Sequence, residues 1–254
     1  MNRLGLVVLA CVAVACSAPQ RRAVPPPTAA GPPGIYVAVG GSETIGDGTE
    51  EPLREAWPQL VFAALPPAVD FVNLGFRGAV TSDAIRFQLP VAETLHPTVA
   101  TVWLNVNDLI AGVSTTDYAT SIRVVVHRLR ATGARVFVAN TPPLDHLPLY
   151  LRCLPADAVG CPPEVPRPLP PPALLDARVD DYNRAVAEVV VSEGAQLVDL
   201  HASGLGARTD GTEASLVSAD GFHPSTVGHR RVADAFVAAM RAGGVTLGGP
   251  QSAG

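Results

Sequence analysis

The sequence lacks one residue type altogether: its 254 residues include no lysine, so all 18 basic residues are arginine. The formal net charge is −5, and no basic run is longer than a pair such as Arg21-Arg22. Proteins that follow a nucleic-acid backbone need stretches of positive charge to neutralise successive phosphates. We therefore do not expect this protein to bind nucleic acid.

Charged and aromatic residues are also scarce, at 16% and 5% of the chain, whereas hydrophobic residues make up 48%. Disordered chains have the opposite balance, with low hydrophobicity and high charge. The composition therefore provides enough apolar material for a folded core. The length suits one domain or two.

The 25 prolines are unevenly distributed along the chain. Six lie between Pro19 and Pro33 and eleven lie between Pro142 and Pro172, which leaves only eight for all other positions. Proline interrupts regular secondary structure because it fixes φ and lacks an N–H donor. The prolines therefore mark two special segments and leave most of the chain free to form helices and strands.

Residues 1–16 have the organisation of an export signal: an arginine near the start, an apolar core, and then Cys16. The apolar core is shorter than the ~20 residues that a membrane-spanning helix needs. Residues 13–16, Ala-Val-Ala-Cys, resemble a bacterial lipobox, although that motif usually carries leucine three residues before the cysteine. We expect export with lipidation of Cys16, which would anchor the protein to a membrane. Plain secretion is the alternative, and Cys11 is a second candidate with a shorter apolar run before it.

Residues 17–34 follow as a proline-rich linker. This composition cannot pack a core and is typical of an extended, semi-rigid tether. We expect the folded domain to span residues 35–242, with a flexible tail at 243–254. Residues 141–173, which carry the second group of prolines, are predicted to be an insertion within the domain.

Cys153 and Cys161 lie inside this insertion. In an exported protein such a pair favours a disulfide. A zinc site would need further ligands, and neither a C-x-x-C motif nor a histidine pair stands nearby. His96, His146 and His201 also lack the spacing of metal ligands. We therefore predict a disulfide and no metal site.

Short apolar runs alternate with helix-compatible segments five times along the domain. The predicted strands are 35–39, 69–74, 99–104, 134–139 and 196–200. The predicted helices are 53–65, 81–95, 116–132, 174–193 and 226–241, with interruptions at Pro58 and Pro90. Thr116 or Asp117 is expected to cap the third helix. The strands are continuous apolar runs, which is typical of a parallel sheet covered on both faces. The pattern predicts an α/β fold, a three-layer α/β/α sandwich around a five-stranded parallel sheet.

Polar residues and glycines follow the ends of these strands, where an open α/β sheet places its site. Ser42 follows the first strand, Gly75 the second and Asn107 the third, and the last loop contains Asp220 and His223. This order and spacing resembles the SGNH (GDSL-type) hydrolase family, whose four named residues correspond here to Ser42, Gly75, Asn107 and His223. The resemblance covers essentially the whole domain. It implies a flavodoxin-like fold and a lipase or esterase activity that needs no cofactor.

The resemblance also implies a role for each of these residues. Ser42 would be the nucleophile, His223 would take its proton, and Asp220 would orient the imidazole. The backbone N–H groups of Ser42 and Gly75 and the side-chain amide of Asn107 would stabilise the oxyanion, each donor being typically worth ~10²–10³ in rate. Taken singly, each residue is equally typical of a turn or a helix cap. The prediction rests on their joint order.

The sequence departs from the family pattern in three places. The usual Gly-Asp-Ser is Gly-Gly-Ser at residues 40–42, so an aspartate that supports the loop is missing and the rigidity of the loop is in question. Asn105 replaces the glycine of the usual Gly-x-Asn-Asp. Arg77 follows closely after Gly75, and its side chain is expected to point either at the pocket or at solvent.

Two neighbouring residues are predicted to be structural. Asp108 is expected to brace the loop behind Asn107, and His229 ends a His-Pro-x-x-x-Gly-His pattern that starts at His223. An α/β-hydrolase would use the same kind of triad, but its Gly-x-Ser-x-Gly motif requires glycine where this chain has Thr44. We do not expect that fold.

The sequence therefore predicts an exported, monomeric serine esterase or lipase that hydrolyses a small-molecule or lipid ester through an acyl-enzyme on Ser42. One alternative is an acyltransferase or deacetylase that acts on cell-envelope carbohydrate. Another is a non-catalytic binding lipoprotein of the same fold, which the intact set of site residues disfavours. The insertion at 141–173 should overhang the site, where its leucines and Tyr150 either line an acyl pocket or face solvent.

Overall fold

The structure is a computed structural model that describes residues 33–163 and 165–248. The predicted export signal at 1–16, including Cys16, lies outside these residues, as does most of the predicted linker. The first strand begins at Gly34, one residue before the expected start of the domain.

One sheet of five parallel strands forms the centre of the fold, in the order β2-β1-β3-β4-β5. The strands are β1 Gly34–Gly40, β2 Val69–Asn73, β3 Val99–Trp103, β4 Arg135–Ala139 and β5 Gln196–Val198. The predicted α/β fold is confirmed, and the strand order is that of a flavodoxin-like sheet. Because the order reverses between β1 and β3, the ends of these two strands adjoin the crevice in which such sheets bind ligands.

Helices lie on both faces of this sheet. None of the helices in the described part of the chain is both long enough and apolar enough to span a membrane. The helices are α1 Ser42–Ile45, α2 Pro52–Glu55, α3 Trp57–Ala63, α4 Thr81–Asp83, a π-helix Ala84–Gln88, α5 Leu89–Leu95, α6 Val106–Ile110, α7 Thr115–Ala131, α8 Pro148–Cys153, α9 Pro172–Ser192, α10 Leu200–Thr209, a 3₁₀ helix Glu213–Leu216 and α11 Thr226–Ala242.

Alternate residues of β1 enter two different cores, because successive side chains of a strand point to opposite faces. Val37 and Val39 pack with residues of α7 and α9, whereas Tyr36 and Ala38 pack with residues of α3 and α11. All four side chains are fully buried. This two-sided burial explains the continuous apolar run in the sequence and gives the predicted three layers.

Pro58 and Pro90 restart helices, as the sequence predicts. Each lies in the first turn of its helix, α3 or α5, where an N–H group has no intrahelical acceptor to lose. Upstream of Pro90 the chain forms the short α4 and then the π-helix. The predicted single helix is therefore three consecutive pieces.

The cap of helix α7 differs from the expected one. Ser114 is the N-cap, and its hydroxyl oxygen accepts the backbone N–H of Asp117 at 3.1 Å. Thr116 and Asp117, the predicted caps, lie inside the first turn. Serine is a strong N-cap residue because its short side chain reaches this N–H.

The fifth strand is shorter than predicted, ending at Val198 rather than Leu200. Asp199 caps helix α10 by accepting the N–H of the third helical residue at 2.9 Å. The sequence did not indicate this helix, because Gly204 and Gly206 have low helix propensity.

The predicted flexible tail begins with residues that pack on the domain. Val245 and Leu247 contact the core beneath α3 and α11, and the N–H of Gly248 donates to the carbonyl of Ala64 at 2.9 Å. The prediction is therefore wrong for residues 243–248, because apolar side chains there find a buried surface. Residues 249–254 lie outside the described part.

The insertion at 141–173 contains α8 and the predicted disulfide between Cys153 and Cys161. Its start is held to α9, because the side-chain amide of Asn183 bonds both the N–H and the carbonyl of Thr141, at 2.7 and 3.0 Å. The segment is thus fixed to the carboxyl end of β4 and lies at the site end of the sheet.

Candidate active site

Ser42 lies directly after β1, where the strand passes through Gly40 and Gly41 into α1. The turn is tight: a Cβ atom at Gly40 would lie 1.9 Å from the Thr44 hydroxyl oxygen, so glycine is required. Ser42 is only 5% exposed. Its Oγ lies 3.0 Å from Nε2 of His223.

His223 is held on its other side by Asp220. Its Nδ1–H donates to Oδ2 of Asp220 at 2.6 Å, which leaves Nε2 free to accept the hydroxyl proton of Ser42. Oδ1 of Asp220 accepts the hydroxyl of Ser218 at 2.7 Å and the N–H groups of Phe222 and His223 at 2.7 and 3.0 Å. Partial burial acts to raise the pKa of Asp220, but these hydrogen bonds outweigh it and lower the pKa to about 2. The acid is therefore ionised beside the imidazole.

Gly75 lies beside the turn of residues 40–44, which we call the nucleophile turn after the role that the sequence predicts for Ser42. The N–H groups of the residues on either side of it donate to the carbonyls of Ala38 and Gly40, at 2.8 and 3.3 Å. These bonds extend the β1–β2 pairing beyond the strands. The N–H of Gly75 itself donates to Oδ1 of Asn73 at 3.0 Å. To stabilise an oxyanion, this N–H would have to exchange Asn73 for the substrate oxygen.

Asn107 approaches the same turn from the end of β3. One hydrogen of its amide donates to the carbonyl of Ala79 at 3.0 Å, and an amide has two such hydrogens. A Cβ atom on Gly41 would lie only 2.8 Å from Nδ2 of Asn107. The N–H of Ser42 is also directed out of a helix terminus, because the first residue of a helix has no intrahelical acceptor. The three expected donors therefore surround one turn.

Asp108 braces the loop behind Asn107, as predicted. Its carboxylate accepts the N–H of Thr81 at 3.0 and 3.1 Å and the Thr81 hydroxyl at 2.6 Å. Burial raises the pKa of Asp108, although the bonds from Thr81 oppose the shift. Asn105 joins two strand ends, since its Nδ2 donates to the carbonyl of Ala139 at 3.2 Å. Asn105, which replaces the family glycine, is therefore a buried residue with a structural role.

Gln88, which the sequence analysis missed, holds the nucleophile turn. Its Oε1 accepts the N–H of Gly40 at 3.0 Å and its Nε2 donates to the Gly40 carbonyl at 2.9 Å. The side chain is 1% exposed, and the π-helix delivers it inward. Its spacing was a usable signal, because Ala84 and Ala92 lie four residues to either side on the same buried face. This clamp provides the rigidity that the missing aspartate put in question.

Glu43 is a second residue that the sequence analysis missed. It follows Ser42, is 7% exposed, and its Oε2 would lie 3.1 Å from a Cβ atom at Gly41. Burial raises the pKa of Glu43, although its own backbone N–H and the nearby His223 act in the opposite direction. The chain therefore places a buried carboxyl group after the nucleophile, where the family has one before it.

His229 is structural, as predicted. Its Nδ1 accepts the backbone N–H of Trp57 at 3.2 Å and its Nε2–H donates to the carbonyl of Asp47 at 3.0 Å. Burial lowers the pKa of this imidazole, which favours the neutral form that these two bonds require. Arg77 points at Asp47 rather than into the pocket, and its Nε donates to that carboxylate at 2.6 Å.

Three other histidines bond to groups away from Ser42. His127 and His146 pair with Glu193 and Glu213 at 3.0 and 3.1 Å, and His201 bonds the carbonyl of Thr141 at 3.1 Å. Among the described residues, no three His, Cys, Asp or Glu side chains are grouped so that they could hold a metal ion.

Two cavities adjoin the site. The smaller, of about 130 Å³, is lined by Glu43 and Trp103 among others, and the larger, of about 350 Å³, lies beneath the insertion. Phe222 lines both cavities and packs edge-on against the ring of His223, with centroids 4.9 Å apart. Both cavities therefore lie beside the loop that carries the candidate base.

Solved structures of similar fold are numerous. A lipase/acylhydrolase from Enterococcus faecalis is 18% identical with a TM-score of 0.62, covering 86% of this chain and 99% of its own. The protein TesA is 17% identical with a TM-score of 0.60, covering 82% and 98%. A mutant acetyl-xylooligosaccharide esterase from Geobacillus Stearmophilus is 16% identical with a TM-score of 0.60, covering 82% and 94%. At such identities the likeness shows the fold.

The family is shown by sequence. No curated protein matches this chain. A sequence model described as the GDSL-like Lipase/Acylhydrolase family matches residues 38–231, a span that contains Ser42, Gly75, Asn107 and His223. The chain therefore belongs to the GDSL-like lipase/acylhydrolase family of hydrolases.

Proposed function

We propose that this protein is a serine esterase that hydrolyses carboxylic esters through an acyl-enzyme on Ser42. The observation that carries the proposal is the hydrogen-bonded series from Ser42 Oγ to His223 Nε2 at 3.0 Å and from His223 Nδ1 to Asp220 at 2.6 Å. Both distances are within hydrogen-bonding reach, as proton transfer from a nucleophile to its base requires.

Acylation begins when Ser42 Oγ attacks the ester carbonyl carbon and its proton passes to Nε2 of His223. The carbonyl oxygen becomes an oxyanion, which accepts hydrogen bonds from the N–H groups of Ser42 and Gly75 and from the amide of Asn107. When the tetrahedral intermediate collapses, the C–O bond to the alcohol breaks and His223 gives its proton to the departing oxygen. The products are the free alcohol and an acyl group on Ser42.

Deacylation repeats these steps with water. The oxygen of the water molecule attacks the acyl carbon while His223 takes a proton from the water. The bond between the acyl carbon and Ser42 Oγ then breaks, and His223 returns the proton to Oγ. The carboxylic acid leaves and the serine is regenerated. Asp220, ionised throughout, stabilises the imidazolium that forms in both halves of the reaction.

The experiment is labelling with a fluorophosphonate probe, followed by peptide mass spectrometry of the folded protein. We expect one modified residue, Ser42, and no labelling of Ser42→Ala. Ser203→Ala is the matched control, because Ser203 lines the smaller cavity but lies outside the hydrogen-bonded series. Absence of label on folded protein with intact Ser42 would overturn the esterase proposal and favour the non-catalytic binding protein.

We also propose that the protein is exported, that a lipid on Cys16 anchors it to a membrane, and that it acts as a monomer. The support is the export signal of residues 1–16, together with a disulfide in the domain, which favours an oxidising compartment. Expression of the full chain in a bacterium tests this. Cys16→Ser should move the protein from the membrane fraction to the soluble fraction, and Cys11→Ser should not. An unchanged distribution would contradict the anchor.

A further inference from the structure

The larger cavity is built mainly by the insertion. Leu149 and Leu169 of the insertion form one wall, Leu109 of α6 another, and Leu175 of α9 a third. The insertion is also bonded to the loop that carries the acid and the base, since the N–H of Leu149 donates to the carbonyl of Gly221 at 3.0 Å. The insertion therefore both lines the cavity and holds the loop that carries Asp220 and His223.

This cavity lies next to the nucleophile. Four residues line both the larger and the smaller cavity: Val106, Leu144, Leu147 and Phe222. The smaller cavity is also lined by Glu43, which directly follows Ser42. The ring of Phe222 lies 4.9 Å from the ring of His223, whose Nε2 is 3.0 Å from Ser42 Oγ. The larger cavity therefore begins one side chain away from the imidazole, within reach of a chain attached to a carbonyl carbon at Ser42 Oγ.

The chemistry of the lining selects an apolar ligand. Among the described lining residues, only Tyr150 and Arg178 have polar side-chain atoms. The Tyr150 hydroxyl already donates to the carbonyl of Pro170 at 2.8 Å, and Arg178 is exposed at the surface of α9. A polar ligand would lose its hydrogen bonds to water here and regain few, which costs free energy. An alkyl chain makes no hydrogen bonds to water, so it loses none on entering the cavity, and it buries apolar surface.

We propose that this cavity binds the acyl chain of the substrate, so that the enzyme prefers esters of medium- and long-chain fatty acids to acetates. This inference rests on the proposed esterase function. The volume of 350 Å³, compared with roughly 30 Å³ for each water in the liquid, has room for a chain of about ten carbons. A methylene group is similar in size to a water molecule.

The first test measures kcat/KM for soluble p-nitrophenyl esters from acetate to decanoate. Burial of each methylene raises kcat/KM by at most about 4-fold. We therefore expect kcat/KM to rise at least 100-fold from the butanoate to the decanoate ester. Ile110 and Leu169 both line this cavity. Ile110→Trp and Leu169→Trp should each lower the ratio of kcat/KM for the decanoate to kcat/KM for the butanoate at least ten-fold. Val91→Trp is the control, because Val91 and Ile110 are 44% and 46% exposed and Val91 is remote from both cavities.

A second measurement separates this inference from the esterase proposal. Calorimetric titration of Ser42→Ala with decanoate needs no hydrolysis, and we expect binding that Ile110→Trp weakens and Val91→Trp does not. If butanoate is hydrolysed but the chain-length profile is flat, the cavity assignment is overturned and the esterase stands. If decyl acetate, with its long chain on the alcohol, shows the gain instead of the decanoate ester, the acyl assignment is overturned. If no ester is hydrolysed but decanoate binds, the esterase proposal falls and the cavity assignment stands.

Discussion

Restoring the family's aspartate at position 41 should impair the proposed esterase activity. A Cβ atom at Gly41 would lie 2.8 Å from Nδ2 of Asn107 and 3.1 Å from Oε2 of Glu43. Both separations are shorter than ordinary non-bonded contacts of ~3.5–4.0 Å. The Asn107 amide would have to move, and its 3.0 Å bond to the Ala79 carbonyl would break. The new carboxylate would also stand beside the buried Glu43, and two adjacent acidic groups disfavour each other's ionisation.

The size of the effect follows from what Asn107 is proposed to do. Removal of one oxyanion donor typically costs ~10²–10³ in kcat, so Gly41→Asp should lower kcat by about 10²-fold with little change in KM. Glu43→Leu removes the neighbouring carboxyl and leaves more room. Combined with Gly41→Asp, it should recover about 10-fold of the loss, which is a coupling energy of roughly 1.4 kcal/mol.

The assay is kcat and KM for p-nitrophenyl butanoate with the wild type, the two single variants and the double variant. Urea denaturation of each protein separates a damaged site from a damaged fold. Glu43→Gln, which keeps the size and loses the charge, shows whether space or charge produces the coupling. Wild-type kcat in Gly41→Asp would refute the steric reasoning. If Glu43→Leu changes kcat by the same factor in the wild type and in Gly41→Asp, the coupling is refuted.

Three further outcomes are expected. Asn107→Ala should lower kcat for p-nitrophenyl butanoate by ~10²–10³ with KM nearly unchanged, and an equal loss expressed only in KM would contradict its role as an oxyanion donor. Gln88→Met leaves the buried N–H of Gly40 unsatisfied, which costs ~1–3 kcal/mol, and leaves the Gly40 carbonyl with only the N–H of Phe76 at 3.3 Å. The free energy of unfolding in urea should therefore fall by at least about 1 kcal/mol; an unchanged value would show that the clamp is dispensable. Asp220 has its pKa lowered to about 2, so its contribution to stability is present above about pH 4 and is lost as the pH falls toward 2. Asp220→Asn should remove that part of the acid-induced loss and lower kcat by at least about 10²-fold, and a pH–stability profile identical to that of the wild type would contradict the linkage.

The strand ends could be predicted because their signal is local. Each apolar run is covered on both faces, so its end is visible in the sequence as the first polar residue or glycine. In a parallel sheet these ends lie at one edge. Ser42, Gly75 and Asn107 therefore meet in the structure although they come from three different strands, and His223 joins them from the last loop.

Other features depend on contacts that no local pattern encodes. Gln88 bonds to Gly40 across 48 positions of sequence, and only its place between two buried alanines hinted that it faces inward. The direction of Arg77 was open until Asp47 was found within 2.6 Å of it. The sequence predicts a tail for Val245 and Leu247 because they follow the last predicted helix. Their burial depends on a groove formed by distant helices.

The support of the nucleophile turn has moved to other parts of the chain. In the family pattern an aspartate within the turn supports it, whereas here position 41 has no side chain. Gln88 holds Gly40 from the π-helix, and Asn73 bonds the carbonyl of Thr44 at 2.6 Å from the end of β2. These contacts fix the turn on both sides of Ser42 and leave the space at position 41 to the Glu43 carboxyl and the Asn107 amide. The missing aspartate is therefore compatible with a rigid turn at Ser42, because rigidity depends on where the backbone of the turn is bonded and not on which residue supplies the bond.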